Sequence, residues 1–224
     1  ETLGCGGVIA LKRRQNIPVW VVFLTDGRAC YSGAPGPIPM SVEECIQTRQ
    51  QEAIKALEIL GVSKTNIVFL SHQDSTLGQY TVDQRTQAVQ ELTNLLQAIQ
   101  PQEVFVPYFK DMHSDHVETF RLVRDALKPY SQKVDVWQYL IWSLWRYEYL
   151  DDLPKNRFAN LHKVLIEDVR ETKQQALKAY QSQFSPIVKN FSALPKTFLS
   201  FFDTSFELFV KAPDEEANYS PVID

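Results

Sequence analysis

Glu103-Val-Phe-Val-Pro107-Tyr-Phe-Lys-Asp-Met-His113-Ser-Asp-His116-Val-Glu118 is the stretch on which the fold turns. Val104-Phe105-Val106 is a continuous apolar run of the kind found in a strand buried on both faces, and it stops at Pro107. The next residues are polar and lead into a helical pattern from Asp115 to Leu127. In an open parallel sheet, ligands bind beyond the carboxyl ends of the strands, which is where this strand releases His113 and His116. In a first helical turn those two histidines share a face, and Asp115 can accept from one imidazole and fix its tautomer. The same tetrapeptide also fits a polar loop capped by Ser114 or Asp115, and the rest of the chain favours the site.

On the amino-terminal side, Glu1 to Leu11 predicts a helix entered through the glycine-rich turn Gly4-Cys5-Gly6-Gly7 and running on to about Arg14. Pro18 to Leu24 predicts a buried strand that ends in Thr25-Asp26-Gly27. Residues 28–41 carry Pro35, Pro37 and Pro39 and predict a long, mobile binding loop. Helices are expected over Val42–Leu60, closed by Gly61, and over Thr81–Gln100, with a strand at Asn66–Leu70 between them. Beyond the opening stretch, strands are expected at Lys133–Trp142 and Leu161–Ile166, and a helix over Val169–Tyr180. Residues 184–224, with Pro186, Pro195 and Pro213, predict a helical extension of short helices that pack phenylalanines.

Strand and helix alternate, which predicts an α/β domain: a Rossmann-like three-layer fold with a mostly parallel, doubly wound sheet. Residues 1–224 carry no repeat and no separating linker, so a single domain is expected. Thr25-Asp26, Asp74 and His113 to His116 each follow a different strand, so all three are expected over one sheet edge. A net charge of −4, from 23 basic and 27 acidic residues, gives no reason to expect a nucleic-acid groove. The longest uncharged apolar run, Val136 to Trp145, is too short for a transmembrane segment, which needs about 20 residues. Three cysteines fit free thiols in a reducing, cytoplasmic setting.

These pieces, taken in order, resemble the LmbE-like (PIG-L) family of zinc-dependent de-N-acetylases, which includes the N-acetylglucosaminyl-phosphatidylinositol de-N-acetylases. The matching stretches are Glu1 to Gly7, Leu24-Thr25-Asp26-Gly27, Arg49-x-x-Glu52-Ala53 with Leu60-Gly61, Asp74 before Leu77, and His113-Ser-Asp115-His116. Lys173-x-x-Ala176-Leu177-x-x-Tyr180-x-Ser182-Gln183 is similar to a late family motif. In the family the glycine-rich start follows a strand ending in Ala-His-Pro-Asp-Asp, and Glu1 matches the next residue. The resemblance therefore implies that the first strand is missing here, and that two zinc ligands and the general-base Asp are expected upstream of Glu1.

The activity implied by the resemblance is removal of an N-acetyl group from an N-acetylglucosamine-type sugar by water activated on Zn2+. His116 is the implied metal ligand. His113, held by Asp115, is placed to stabilise the oxyanion or assist the leaving amine. Arg49, Asp74 and Arg146 are candidates for substrate contacts, with an ion pair as the alternative for each. Trp137, Trp142 and Trp145 fit sugar stacking or core packing. His72, His162 and Cys5 read as ordinary structural residues. A non-catalytic sugar-binding protein that kept the fold and lost the metal is the competing reading. Aglycone and oligomeric state, homo-oligomer included, are left open by the sequence.

Overall fold

Helix α1 (Thr2–Arg14) sets how closely helix and sheet approach one another. The computed structural model describes residues 1–130, 132–144, 160–186 and 191–213. A Cβ on Gly4 would lie 2.5 Å from Cδ2 of Tyr139, and one on Gly7 would lie 2.6 Å from Cγ2 of Ile166. Both glycines are thus the points where backbone touches side chain directly, as the glycine-rich turn leads one to expect. Gly7→Ala is expected to lower stability by about 1–3 kcal/mol through overpacking, although alanine normally favours a helix by about 1 kcal/mol. Urea unfolding checks this; a more stable variant would show that Ile166 yields without strain.

The remaining elements are, in chain order, β1 (Val21–Thr25), α2 (Val42–Ile59), β2 (Ile67–His72), α3 (Val82–Ile99), β3 (Glu103–Pro107), α4 (Ser114–Leu127) and β4 (Asp135–Tyr139). Then come β5 (Leu161–Leu165), α5 (Arg170–Leu177), the short helices α6 (Gln181–Phe184) and α7 (Lys196–Leu199), and β6 (Phe206–Lys211). Helix starts obey local chemistry: Ser41 with Glu44, and Thr81 with Gln84, form reciprocal capping boxes on α2 and α3. Gly61, at φ +85°, takes the left-handed turn that ends α2.

Three layers result. Val8, Ile9, Ala53, Ala56, Leu57 and Ala176 place α1, α2 and α5 on one face, against Val21, Phe23, Phe105 and Phe209 of the strands. Leu92, Leu96, Phe120 and Val123 place α3 and α4 on the other, against Val22, Leu24, Val104 and Val136. Alternate residues of β1 and β3 serve the two layers, as the twofold period of a strand requires.

β1 pairs with β2 in parallel, and β3 with β4 in parallel. β6 lies between β4 and β5 and runs antiparallel to both. Among the described residues the ladders form two sheets, β1-β2 and β3-β4-β6-β5, that share the same pair of hydrophobic layers.

β6 corrects the expectation of an all-helical extension over 184–224. The prolines draw attention to turns, yet Phe206-Glu-Leu-Phe-Val-Lys211 holds Glu207 and Phe209 inward and pairs along both edges. A strand arriving this late can join antiparallel, without the crossover helix that a parallel partner requires. Its arrival makes two of the three pairings in the four-stranded sheet antiparallel, with β6 the strand that runs against the other three. The short helices are present too, with Phe198 and Phe202 buried. No helix among the described residues is long and apolar enough to cross a membrane.

Candidate active site at the rim of the parallel strands

Three loops leave the carboxyl ends of β1, β2 and β3, and backbone-to-carboxylate hydrogen bonds join them. Asp26, buried after β1, pairs with Arg28 at 2.6 Å and accepts from the Arg28 backbone N–H at 3.1 Å. Its own N–H donates to the carbonyl of His72 at the end of β2. Asp74, after β2, accepts from the Ala29 N–H at 3.1 Å and so holds the start of the 28–41 loop. Ser75 and Leu77 donate their backbone N–H groups to the two oxygens of Asp115, at 2.6 and 3.2 Å. The rim expected from sequence is therefore assembled, with Asp26, Asp74 and Asp115 as its crosslinks.

Asp115 corrects an expectation here. Its carboxylate does not hold the His113 ring; it turns under the β2 loop. Ser75 is in the left-handed region at φ +66°, and the N–H groups of that turn would be left without partners if the carboxylate moved away. Burial raises the Asp115 carboxyl above its ordinary range, against the opposing effects of Ser75, His113 and Leu77.

His113 is the N-cap of α4, with Nδ1 accepting from the Asp115 N–H at 3.3 Å. A neutral imidazole that accepts at Nδ1 carries its proton on Nε2. Burial, then the neighbouring His116, pushes His113 below the ordinary imidazole range, which favours that neutral form. His116 is wired oppositely. Its Nδ1 is 2.6 Å from Oδ2 of Asp111, so Nδ1 donates, and in the neutral ring the lone pair is on Nε2. The two rings stand 5.0 Å apart, centroid to centroid. One ring thus offers an N–H and its neighbour a lone pair.

Asp111 is the residue that sequence reasoning missed. Its side chain is fully buried, and Oδ1 accepts from the N–H of Ser143 at 2.9 Å, its hydroxyl at 3.2 Å, and the N–H of Met112 at 3.0 Å. It lies within the opening stretch, five residues before His116, but a spacing across a strand-to-helix loop carries no geometry of its own. Carboxylate–imidazole pairs of this kind fix the tautomer and raise the basicity of a metal-binding histidine.

Arg49 runs beside Gly27, lies over the Tyr180 ring at 5.2 Å, and pairs with Glu52 at 3.2 Å. Glu52 in turn accepts from the Ser182 N–H and hydroxyl, both at 2.6 Å. The Arg49-x-x-Glu52 and Tyr180-x-Ser182 motifs therefore meet in space. Trp137 packs edge-on against His162 at 4.8 Å, and Trp142 stacks on Phe198 at 4.7 Å, so both serve packing. Arg146 and Trp145 lie outside the described residues. Cys5 is buried at a kink in α1, and burial pushes its thiol up to about 12.

His116 has the chemistry of a metal ligand: a fixed tautomer, a lone pair at the rim and a buried carboxylate behind it. No group of three or more His, Cys, Asp or Glu side chains converges among the described residues, so His116 fits as one ligand and not as a complete set.

A family model described as GlcNAc-PI de-N-acetylase, PIG-L, matches residues 1–127. Solved structures share the fold. The N,N'-diacetylchitobiose deacetylase from Pyrococcus horikoshii is 24% identical with a TM-score of 0.66, over 95% of this chain and 79% of that one. The conserved protein TT1542 from Thermus thermophilus is 19% identical with a TM-score of 0.63, over 99% and 92%. A deacetylase triple mutant of the teicoplanin biosynthetic pathway is 18% identical with a TM-score of 0.65, over 96% and 94%.

Proposed function

The chain belongs to the GlcNAc-PI de-N-acetylase (PIG-L) family, and from that premise we propose that it is a zinc-dependent hydrolase removing the acetyl group from an N-acetylglucosamine-type sugar or glycoconjugate. The observation that carries the proposal is the pair of opposed imidazoles, His116 with Nδ1 on Asp111 and His113 with Nδ1 on a backbone N–H. Amide hydrolysis needs a Lewis-basic ligand position beside a donor for the carbonyl oxygen as it gains charge.

In this reading His116 Nε2 is the ligand that the described residues contribute, and Asp111, accepting from Nδ1–H, fixes the ring so that Nε2 is the nitrogen offered. When bound, zinc lowers the pKa of water and polarises a carbonyl. His113 Nε2–H donates to the developing oxyanion and can pass a proton towards the leaving amine. Asp74, on the rim, and Arg49, beside Gly27 of the same rim, are proposed to meet sugar hydroxyls or a phosphate, and Arg146 is proposed for the same role.

The test is acetate release. Full-length protein, given N-acetylglucosamine glycosides, is expected to yield acetate and free amine in equal amounts, to stop with a chelator, and to resume with zinc. Sugar binding with neither zinc uptake nor acetate release would support the sugar-binding reading instead.

Asp111→Asn should weaken metal binding about 10- to 100-fold. The amide keeps the shape, but its NH2 facing Nδ1 drives the imidazole proton onto Nε2. Metal competition titration checks this, and unchanged affinity would remove Asp111 from the site. The 28–41 loop, rooted at Arg28 and Ala29 on the two rim aspartates, is proposed to select the aglycone. Exchanging it for a foreign loop should alter preference across a panel of N-acetyl glycosides at constant metal content; an unaltered profile makes it a connector.

A further inference from the structure

Cys30, in the loop after β1, and Cys45, in the first turn of α2, are free thiols whose sulfurs lie 3.1 Å apart, across fifteen residues of chain. A disulfide needs about 2.05 Å between the sulfurs, so a shift of about 1 Å brings them to bonding distance. Cys45 is buried, with its sulfur also 3.9 Å from the carbonyls of Gly27 and Arg28. Cys30 is half-buried, and so can be reached from solvent. Cys5, the remaining cysteine, is buried in a different part of the core.

The placement gives the pair a purpose. Cys30 comes directly after Arg28 and Ala29, which hold Asp26 and Asp74 at the rim. Cys45 is on the helix that carries Arg49, one turn further along. A bond between the two sulfurs would fasten the root of the 28–41 loop to that helix. Tyr31 is the neighbouring anchor, buried with its hydroxyl donating to the Ser182 carbonyl at 2.9 Å.

The geometry points to Cys30 and Cys45 as a reversible dithiol–disulfide couple that locks the loop against α2 under oxidising conditions. A disulfide oxidant such as oxidised glutathione balances the reaction. The Cys30 thiolate attacks one sulfur of the oxidant, forms a mixed disulfide, and releases the first glutathione thiolate. Cys45 then attacks the Cys30 sulfur, closes the protein disulfide, and expels the second. Two protein thiols are oxidised by two electrons, and one glutathione disulfide becomes two thiols, which take up the two protons. Burial and the contact with Cys45 push the Cys30 thiol up to about 12. The first step is therefore slow at neutral pH and should quicken about tenfold per pH unit as the thiolate fraction grows.

The test is intact-mass and peptide analysis of the full chain equilibrated with oxidised glutathione and then alkylated in denaturant. A loss of about 2 Da, a Cys30–Cys45 linked peptide and complete alkylation of Cys5 are expected. The oxidised protein should melt roughly 5–10 °C higher, because the bond closes a short loop in the unfolded chain, and reductant should reverse the gain. Cys45→Ser should stop at a glutathione adduct on Cys30. The unsubstituted chain alone is decisive if that variant does not fold. Both thiols alkylating fully, a persistent glutathione adduct on the unsubstituted chain, or a bond that includes Cys5 would overturn the proposal. None of these readouts depends on deacetylation.

Discussion

His113→Ala is expected to lower turnover about 100- to 1000-fold, the usual cost of removing one donor to a developing oxyanion. Metal content should hold, because the lone pair assigned to the metal is on His116, whose tautomer is set by Asp111. KM should change far less than kcat, since the N–H contact strengthens only as charge grows on the carbonyl oxygen. The substitution also deletes the cap that His113 Nδ1 provides to the Asp115 N–H, worth about 1 kcal/mol of stability. His113→Asn separates the two effects: asparagine caps well but offers nothing at the position of Nε2. Both variants should lose turnover alike while only the alanine loses stability. Steady-state kinetics beside metal analysis decides the matter. Near-normal turnover in the asparagine variant, or loss of metal in either, would mean the histidines have been given each other's roles.

The strands and helices were legible because their signals are local. Pro18 to Leu24 and Glu103 to Pro107 are apolar runs, and α2 and α3 are announced by Ser41-x-x-Glu44 and Thr81-x-x-Gln84. The rim was legible through topology, since parallel strands send all their carboxyl ends one way. What escaped was set by tertiary partners. Asp115 has the same spacing from His113 whether it holds the ring or turns away, and the donors of Ser75 and Leu77 decide the choice from about forty residues off. Asp111 acquires its meaning only when β4 brings Ser143 against it. β6 was hidden for a related reason: its flanking prolines are local, whereas the two strands that receive it are not.

Glu207→Ala should destabilise the protein by about 3–5 kcal/mol, the usual result of breaking a buried ion pair on one side. Glu207 and Lys173 are almost fully buried and meet at 2.7 Å. Glu207 also accepts from the N–H groups of Gly7 and Val8, at 2.8 and 2.9 Å. These are the donors exposed where α1 restarts after its kink at Cys5. One carboxylate from the last strand thus pins the first helix and α5 together, and its loss strands an ammonium with no other hydrogen-bond partner among the described residues. The two halves of the pair should behave unequally. Lys173→Met leaves a carboxylate that still has two backbone donors, so it should cost clearly less than Glu207→Ala. The double variant Lys173→Met/Glu207→Ala should recover part of the Glu207→Ala loss, because no unpaired charge is left inside. Urea unfolding of the three variants, analysed as a double-mutant cycle, measures this. Equal costs for the two single substitutions would show that the helix donors contribute little, and that α1 is held by its glycine contacts with Tyr139 and Ile166 instead.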